Sequence, residues 1–480
     1  MAGGTWSPTE GKVRPGFYMN FVAAALAAIK PGARGIVACP VKAEWGPVRG
    51  FKEITSEAEL LAAYGAKVAG TTAYDTIRMA LLGGAKTVLA YRLADSNAAK
   101  GTIILQDTSG TPVNVLQLDT KYESARDFRV TTRTNPVDEN KQDIVLYEGT
   151  TILRTFTFTK GAGGEDAAVE AINNDTGNLW ITATKLATGN GILAAVTSLA
   201  FSGGNNGTAA VANTDYTNAM AAFEARQFNL FTLDGMTDSS LQTSVKAWVE
   251  RLREEGKGII AVLGGSAASD ADPTQGNTRS ATFNYEGVVN VITSAVMDGV
   301  TYSSAQVAPF IAGLIGGQRL SESITYATCP FTDVSPRLTH NQIVAALQAG
   351  SLVLVHDGEK VKVEQGINTL SSLRQGQNDQ WKKIRAIRVM DSINADLLKA
   401  ASDNYIGKVN NNDDGKVALI NACKQYMERL FLGGLVEKDY LVYLDPAYHP
   451  ALAAPDEVYI KWEARICDNM EKIFGTFVVR

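Results

Sequence analysis

The chain has 480 residues, which at about 100 to 200 residues per domain predicts about three domains that can each bury a core without disulfides or metal ions. Its 45 lysines and arginines nearly balance 50 aspartates and glutamates, whereas proteins that bind nucleic acid through its phosphates are usually basic. With only 3 histidines and 4 cysteines, the chain is poor in the residues that most acid-base, nucleophilic and metal chemistry requires. The composition argues against a nucleic-acid partner and against an enzyme.

The cysteines and the apolar runs argue against a metal-binding protein and against a membrane protein. The cysteines are spread over the chain, at Cys39, Cys329, Cys423 and Cys467. No two of them form a CxxC pair, which predicts buried, reduced thiols and no metal site. The longest apolar run, residues 21–29, is shorter than the roughly 20 residues that a membrane helix needs. We therefore expect a soluble protein that does not insert into a membrane.

The chain opens with a strand pattern and continues with strands and helices in alternation. Within residues 17–22, Phe17, Met19 and Phe21 fall on one face at the strand period of two, and no hairpin turn follows them. The next patterns predict strands at residues 35–41 and 87–92, and helices at residues 56–64 and 72–81. We interpret residues 23–95 as the N-terminal part of an α/β core.

Short strands with frequent turn residues dominate the region that follows. Residues 144–147 and 151–159 flank Glu148-Gly149-Thr150 and alternate apolar with polar residues, as the two strands of a hairpin do. A cluster of glycine and asparagine at residues 203–207 then interrupts the pattern, as linkers between domains do. We therefore predict a β-sandwich or barrel domain at residues 96–202.

Strands and helices alternate again after this domain, the pattern that builds a parallel sheet through right-handed crossovers. The predicted elements are strands at residues 228–233, 258–263 and 288–296, a helix at residues 241–252, and a hairpin at residues 351–364. Residues 266–283 are polar and are predicted as a long loop. We assign residues 203–365 to an α/β domain.

The last region is predicted as an α+β domain over residues 366–467. Its elements are a helix at residues 416–432 and strands at residues 440–444 and 458–466. Residues 410–415 resemble the start of a calcium loop, but the twelfth position is Asn421 instead of the bidentate glutamate. A turn that caps the following helix is the simpler interpretation.

Nucleotide-binding and hydrolytic motifs fail at their defining positions. A P-loop would need glycine at Ala80, and a dinucleotide fingerprint would need glycine at Ala194. Ser266 follows a buried strand as in a nucleophile elbow, but Ala268 replaces the last glycine of that motif. The candidate bases are His340, His356 and His449. We predict no catalytic, cofactor-binding or metal site, and a serine hydrolase with a subtilisin-like or α/β-hydrolase-like core stays as the enzymatic alternative.

Both ends of the chain carry apolar, strand-like segments without an evident hairpin partner. We define an N-terminal arm, residues 1–22, and a C-terminal arm, residues 468–480. The residues predicted to form strands between subunits are Phe17, Tyr18, Met19, Phe21, Ile473, Phe474, Phe477 and Val479. An unpaired apolar strand aggregates unless it docks on its own domain or another chain accepts it. Two arms per subunit would make a lattice strong even where each arm binds weakly.

Several segments, in their order along nearly the whole chain, carry a resemblance to a known family. They are Gly4-Thr5-Trp6, Lys12-Val13-Arg14-Pro15-Gly16, Gly35-Ile36-Val37, Trp45-Gly46-Pro47, Thr214-Asp215-Tyr216, Phe228-Asn229-Leu230, Ser304-Ala305-Gln306-Val307-Ala308-Pro309 with Ala312-Gly313, and Met470-Glu471-Lys472-Ile473. In these segments the chain resembles the contractile tail sheath proteins of myophages and phage-tail-like particles.

The resemblance implies a multidomain α/β plus β fold. Its parts are a non-catalytic α/β domain similar to subtilisin in topology, an inserted β-sandwich or barrel, and an α+β C-terminal domain with terminal strand arms. It also implies hexameric rings stacked as a helical sleeve around an inner tube, which shorten on a baseplate trigger and drive the tube through a cell envelope. The arms are expected to pair with a neighbour's C-terminal sheet.

The implied partners are further copies of the chain, the inner tail tube protein, and the baseplate and tail terminator proteins. No cofactor, nucleic acid or membrane insertion is expected. The implied location is the tail of a virion or a phage-tail-like particle, assembled in the cytoplasm of the bacterial host. Another self-assembling shell or surface-layer protein stays as the structural alternative.

A basic run at residues 381–388 fits neither the helical nor the strand period. Its cations are Lys382, Lys383, Arg385 and Arg388. We hypothesise that these side chains face an acidic inner tube, where many weak contacts can break together. The alternative is a basic face in contact with solvent.

Overall fold

The computed structural model describes residues 2–4, 16–18, 29, 34–449 and 452–479. Near the N-terminus, two short strands pair in parallel: β1 (Ala2–Gly4) and β2 (Gly16–Tyr18). Of the residues predicted for the N-terminal strand, Phe17 and Tyr18 lie in β2, and Met19 and Phe21 lie outside the described residues.

The α/β core begins with the predicted strands and helices and with one further strand, at residues 51–54. Its first elements are β3 (Ile36–Lys42), β4 (Phe51–Ile54), α1 (Glu57–Tyr64), α2 (Ala73–Gly83) and β5 (Thr87–Leu93). Ser56 starts α1 by accepting a hydrogen bond from the Glu59 backbone N–H, the N-cap role that serine commonly plays. The five central residues of β3 are buried, as in strands of a parallel sheet that is covered on both faces.

The β-rich region forms two sheets around one core. Its elements are β6 (Thr102–Gln106), β7 (Asn114–Thr120), β8 (Phe128–Thr134), β9 (Lys141–Glu148), β10 (Thr151–Thr159), α3 (Gly164–Asn173), β11 (Ile181–Lys185) and β12 (Val196–Ala200). One sheet has the order β10-β9-β8-β12 and the other has the order β11-β7-β6. Leu116, Val130, Ile144 and Phe156 come from both sheets and share the core. The region is therefore a sandwich and not a barrel.

The second half of the α/β core follows the sandwich. Its elements are α4 (Asn213–Phe223), β13 (Leu230–Thr232), α5 (Ser239–Glu254), β14 (Ile260–Gly264), α6 (Ala267–Asp270), α7 (Pro273–Phe283), β15 (Val288–Val291), β16 (Ser294–Met297), β17 (Val300–Tyr302), α8 (Ser304–Gly317), β18 (Thr328–Cys329), β19 (Asp333–Ser335), α9 (His340–Gln348), β20 (Leu354–His356) and β21 (Val361–Val363). Within residues 34–449, six strands form the central sheet in the order β15-β14-β13-β3-β5-β4. Only β4 runs antiparallel to its neighbour.

Helix α8 is the centre of this core. Apart from Gln306 and Gly317, its residues are buried, because it packs against the central sheet and crosses α2. A helix that is apolar on all sides is stable only inside a protein. The crossing with α2 is close, since a Cβ on Gly313 would lie 2.0 Å from the carbonyl oxygen of Ala80.

Two predictions in this region are wrong. Residues 266–283 form α6 and α7 instead of a loop, because Ser266 and Asp272 each accept a backbone hydrogen bond as N-caps and Pro273 stands in the first turn of α7. The single strand predicted at residues 288–296 is two strands, since β15 belongs to the central sheet whereas β16 pairs with β17 and β19. The hairpin predicted at residues 351–364 is confirmed by the pairing of β20 with β21.

The C-terminal region is α+β, as predicted. It contains a 3-10 helix (Asp379–Lys382), α10 (Ile384–Asn404), α11 (Asp413–Leu432), β22 (Leu441–Leu444) and β23 (Ile460–Glu463). Asn412 caps α11 by accepting from the Gly415 N–H, which confirms the interpretation of the asparagine-rich turn. The strand predicted at residues 458–466 is shorter, because only Ile460–Glu463 pair with β22.

Candidate functional site

Ser266, the residue of the hydrolase alternative, has a structural role. Its Oγ accepts a hydrogen bond from the Ser269 N–H at 3.2 Å. The histidines are engaged elsewhere: His340 begins α9, His356 Nδ1 accepts from the Gly358 N–H, and His449 Nε2 accepts from the Tyr459 N–H. Within the described residues, no hydrogen bond joins Ser266 to a histidine.

A closed network of hydrogen bonds fills the edge of the sheet next to Ser266. The carboxylate of Asp270 accepts from Ser304 Oγ at 2.6 Å and from Ser294 Oγ at 2.7 Å, and Ser304 Oγ accepts from the Gly265 N–H at 2.6 Å. Burial raises the pKa of Asp270, and the hydrogen bonds from Ser304 and Ser294 oppose that rise. Every polar group in this network already has a hydrogen-bond partner. The network therefore holds α6 and α8 against the sheet and presents no nucleophile.

The described residues hold no cluster of three or more His, Cys, Asp or Glu side chains that could bind a metal ion. None of the helices in the described ranges is long and apolar enough to cross a bilayer.

The basic run at residues 381–388 lies at the junction of two helices. The 3-10 helix ends at Lys382 and α10 begins at Ile384, which explains why the run fits no single period. Lys383 forms ion pairs with Asp468 at 2.6 Å and with Glu471 at 3.2 Å. Burial alone would lower the pKa of Lys383, but the hydrogen bond and charge of these carboxylates leave its pKa above the usual value.

The two arginines of the run also have hydrogen-bond partners within the chain. Arg385 is buried and donates to the carbonyl oxygens of Cys467 and Gly434. Arg388 donates to the Gln318 carbonyl at 2.9 Å, and burial together with the nearby arginine charges lowers its pKa to about 10. Internal partners therefore hold Lys383, Arg385 and Arg388 within the subunit. Lys382 pairs with Asp379 at 2.9 Å, and contact of these four cations with an acidic tube stays a prediction.

The C-terminal segment leaves the surface of the subunit after Glu471. Residues 472–479 adopt no helix or strand, and Phe474 and Phe477 are 92% and 91% exposed. Ile473 and Val479 are exposed as well. The strand predicted for this segment is absent from the single chain, because no neighbouring strand within the described residues pairs with it. In the single chain residues 472–479 are exposed instead of docked on their own domain, and their pairing with another chain stays a prediction.

The small sheet of the C-terminal region has open edges. Strands β22 and β23 pair antiparallel through Leu441–Glu463 and Leu444–Ile460. Among the described residues this sheet has two strands, so each strand has one edge without a strand partner. A two-stranded sheet is only marginally stable on its own, and further strands would strengthen it.

Helix α10 joins the C-terminal region to the α/β core through buried polar contacts. Arg253 of α5 forms a bidentate pair with Asp391, at 2.7 and 2.8 Å, and both side chains are nearly buried. Arg34 pairs with Asp396 at 2.6 Å, and Asp396 also accepts from Tyr426 OH at 2.8 Å. The partners are far apart in the sequence, so no local pattern could have indicated these pairs.

Three family models match this chain between residues 55 and 480. Residues 55–206 match the family model described as the phage tail sheath protein beta-sandwich domain. Residues 209–369 match the phage tail sheath protein central domain, and residues 376–480 match the phage tail sheath C-terminal domain. The chain belongs to the phage tail sheath protein family.

The relatives agree in length and fold. The chain is 28% identical over 452 residues to the phage-like element PBSX protein XkdK of Bacillus subtilis, which covers 90% of each chain. It is 30% identical to the sheath tail protein of Desulfitobacterium hafniense, whose crystal structure matches with a TM-score of 0.73 over 95% of this chain and 98% of that one. The helical sheath of the anti-feeding prophage in its contracted state matches with a TM-score of 0.54 at 14% identity, over 98% and 99% of the two chains.

The protein is thus a tail sheath protein, a structural component of a phage tail or tail-like particle. Its family is structural and not enzymatic, which agrees with the closed network around Asp270 and excludes the hydrolase alternative.

Proposed function

We propose that this chain polymerises as stacked hexameric rings around an inner tube, and that contraction of this sheath drives the tube through a target cell envelope. The family membership supports a sheath role over most of the chain. The proposed partners are further copies of the chain, an inner tube protein, and baseplate and tail terminator proteins, with assembly in the host cytoplasm. A subtilisin-like topology of the central domain remains part of the proposal, supported by the parallel sheet packed on α8.

The proposed domain division follows the sequence analysis. It has an N-terminal arm (1–22), a first part of the α/β core (23–95), the β-sandwich (96–202), the rest of the α/β domain (203–365), the C-terminal α+β domain (366–467) and the C-terminal arm (468–480). The cluster shared by the two sheets of the β-sandwich and the cluster centred on α10 and α11 support a separate β-sandwich and a separate C-terminal domain. We propose that the β-sandwich decorates the outside of the sheath and takes little part in contraction.

The arms are proposed to join neighbouring subunits by strand exchange. The observation that carries this step is an exposed apolar C-terminal segment in a chain whose β22–β23 sheet has open edges. A donated strand gains roughly 1 kcal/mol per hydrogen bond and about 1.5 to 3 kcal/mol per buried Phe or Val, against an association cost of about 4 to 15 kcal/mol. One arm is therefore marginal, whereas an N-terminal and a C-terminal arm on every subunit bind cooperatively.

Replacing Phe474 and Phe477 together with serine tests the arm. Loss of two buried phenylalanines removes roughly 3 to 6 kcal/mol from each contact, so the concentration needed for assembly should rise at least about 100-fold. Electron microscopy of the purified protein over a concentration series gives the measurement. Val137→Ser, which changes a side chain 93% exposed on the β-sandwich, is the control and should form the same tubes or rings as the original. Unchanged assembly of the double variant would refute the proposed arm.

The driving energy is proposed to be stored in the extended lattice, since the chain carries no nucleotide-binding motif. Differential scanning calorimetry of assembled, extended sheaths should then record an exothermic contraction step without added nucleotide. A contraction step that absorbs heat would contradict the stored-energy part of the proposal.

A further inference from the structure

The segment at residues 465–471 is held on its own subunit by several parts of the chain. The Cys467 N–H donates to the Leu435 carbonyl at 3.0 Å, and the Ile466 carbonyl accepts from Gln380 Nε2 at 3.0 Å. Asn469 Nδ2 donates to the Ser321 carbonyl at 3.2 Å. The segment therefore bridges the C-terminal region and the loop that follows α8.

Glu471 makes the last of these contacts. Its side chain is only 10% exposed, and its Oε1 accepts from Thr325 Oγ1 at 2.8 Å. Its Oε2 accepts from Gln365 Nε2 at 3.0 Å and pairs with Lys383 Nζ at 3.2 Å. A carboxylate with three partners from three separate segments is held far more firmly than a surface ion pair.

The contacts stop abruptly beyond Glu471. From residue 472 to residue 479 the chain is exposed, and within the described residues no hydrogen bond from this stretch reaches the rest of the subunit. Glu471 is thus the last residue of the firmly held segment, and the chain extends into solvent from Lys472 onward.

We propose that Glu471, paired with Lys383, is a positioning residue that fixes the point at which residues 472–480 leave the subunit. The inference rests on the proposed exchange of arms and explains how the arm is directed to its acceptor. An arm that leaves from a fixed point samples fewer positions than one that is free from residue 465 onward, so less conformational entropy is lost on binding. Within the subunit, Lys383 and Arg385 of the basic run therefore act on the chain's own C-terminal segment.

Limited digestion of the unassembled subunit with trypsin tests the anchor directly. Trypsin should cut the original protein after Lys472, in the exposed stretch, and only slowly after Arg465, whose carbonyl accepts from the Glu437 N–H. In Glu471→Ala, cutting after Arg465 should be at least about tenfold faster, because the held segment detaches. Mass spectrometry distinguishes the product that ends at Arg465 from the one that ends at Lys472.

Two further variants keep the test decisive. Met470→Ala changes a side chain in the same segment that is 90% exposed, and it should digest like the original protein. Glu471→Gln keeps a carbonyl acceptor for Thr325 but loses the ion pair with Lys383, so its rate should lie between the two. Equal rates for Glu471→Ala and Met470→Ala would overturn the anchor.

Assembly separates the anchor from the proposed function. Glu471→Ala keeps Phe474 and Phe477, so it should still form tubes, at a concentration about tenfold higher than the original protein. If Glu471→Ala digests faster but assembles at the original concentration, the anchor does not position the arm and the inference fails. If the double variant of Phe474 and Phe477 assembles normally, the proposed strand exchange is refuted, whatever the digestion shows.

Discussion

Replacing Gly313 with alanine is expected to destabilise the central domain by about 3 kcal/mol or more, the upper end of the cost of overpacking a core. The new Cβ would lie 2.0 Å from the carbonyl oxygen of Ala80, and Gly83 approaches α8 from the other side in the same way. Because the obstructing atoms belong to backbone on both helices, no side chain can rotate to make room. Helices α2 and α8 would have to separate, which opens voids in the core that both helices share.

Hydrogen–deuterium exchange of α2 and α8 peptides during a urea titration measures this effect domain by domain, since a chain of several domains need not unfold in one step. Gly110→Ala is the matched control, because nothing lies within 4 Å of a Cβ at that position. Its effect should stay within about 0.5 kcal/mol, as for most surface substitutions. Equal protection of α8 in the two variants would show that the helices do not cross as closely as described.

Replacing Arg253 with methionine is expected to cost about 3 to 5 kcal/mol, because it leaves the buried carboxylate of Asp391 without its partner. Burial raises the pKa of Asp391, and the charge and hydrogen bonds of Arg253 oppose that rise. The negative charge of nearby Glu286 raises the pKa of Asp391 further. Without Arg253 the carboxyl should favour its protonated form in the folded subunit more strongly.

The sign of the pH dependence follows from that shift. A carboxyl with a raised folded-state pKa contributes most stability below its unfolded pKa, about 3.9, and that stability is lost as pH rises through the folded value. The penalty of Arg253→Met, relative to the original protein, should therefore be larger at pH 7 than at pH 5. Urea titrations at both pH values provide the measurement.

Two further variants serve as controls for Arg253→Met. Arg337→Met removes an exposed arginine paired with Asp333 at 2.8 Å, and it should change stability by less than about 1 kcal/mol. The double variant Arg253→Met with Asp391→Leu should recover most of the loss, because no buried charge is left unpaired. A single-variant cost as small as that of Arg337→Met would contradict a desolvated pair at this junction.

Local signals predicted the elements that depend on neighbouring residues. The strands β3 and β5, the helices α1 and α2, and the hairpin of β20 with β21 follow from hydrophobic period and turn residues alone. The polar composition of residues 266–283 favours a loop, whereas Asp272 as a cap and Pro273 in the first turn are the local signals for α7. The failure of catalytic motifs, too, could be read from single positions such as Ala268.

The long-range contacts could not be predicted in this way. The sequence predicts a cationic surface at residues 382–388, yet Lys383 and Arg385 bind groups more than 80 residues further along the chain. Likewise, nothing in the sequence around Arg253 indicates that it pairs with Asp391.

By itself, then, the sequence determined the kind of protein: several α/β and β domains, few residues for chemistry, and an apolar segment at each end. These properties depend on composition, period and order along the chain. Only the tertiary structure decided which cations have partners within the subunit, where the exposed C-terminal segment begins, and how α10 is joined to the core. Those features depend on which distant segments the fold brings within hydrogen-bond distance. The spacing of residues along the chain does not specify which segments those are.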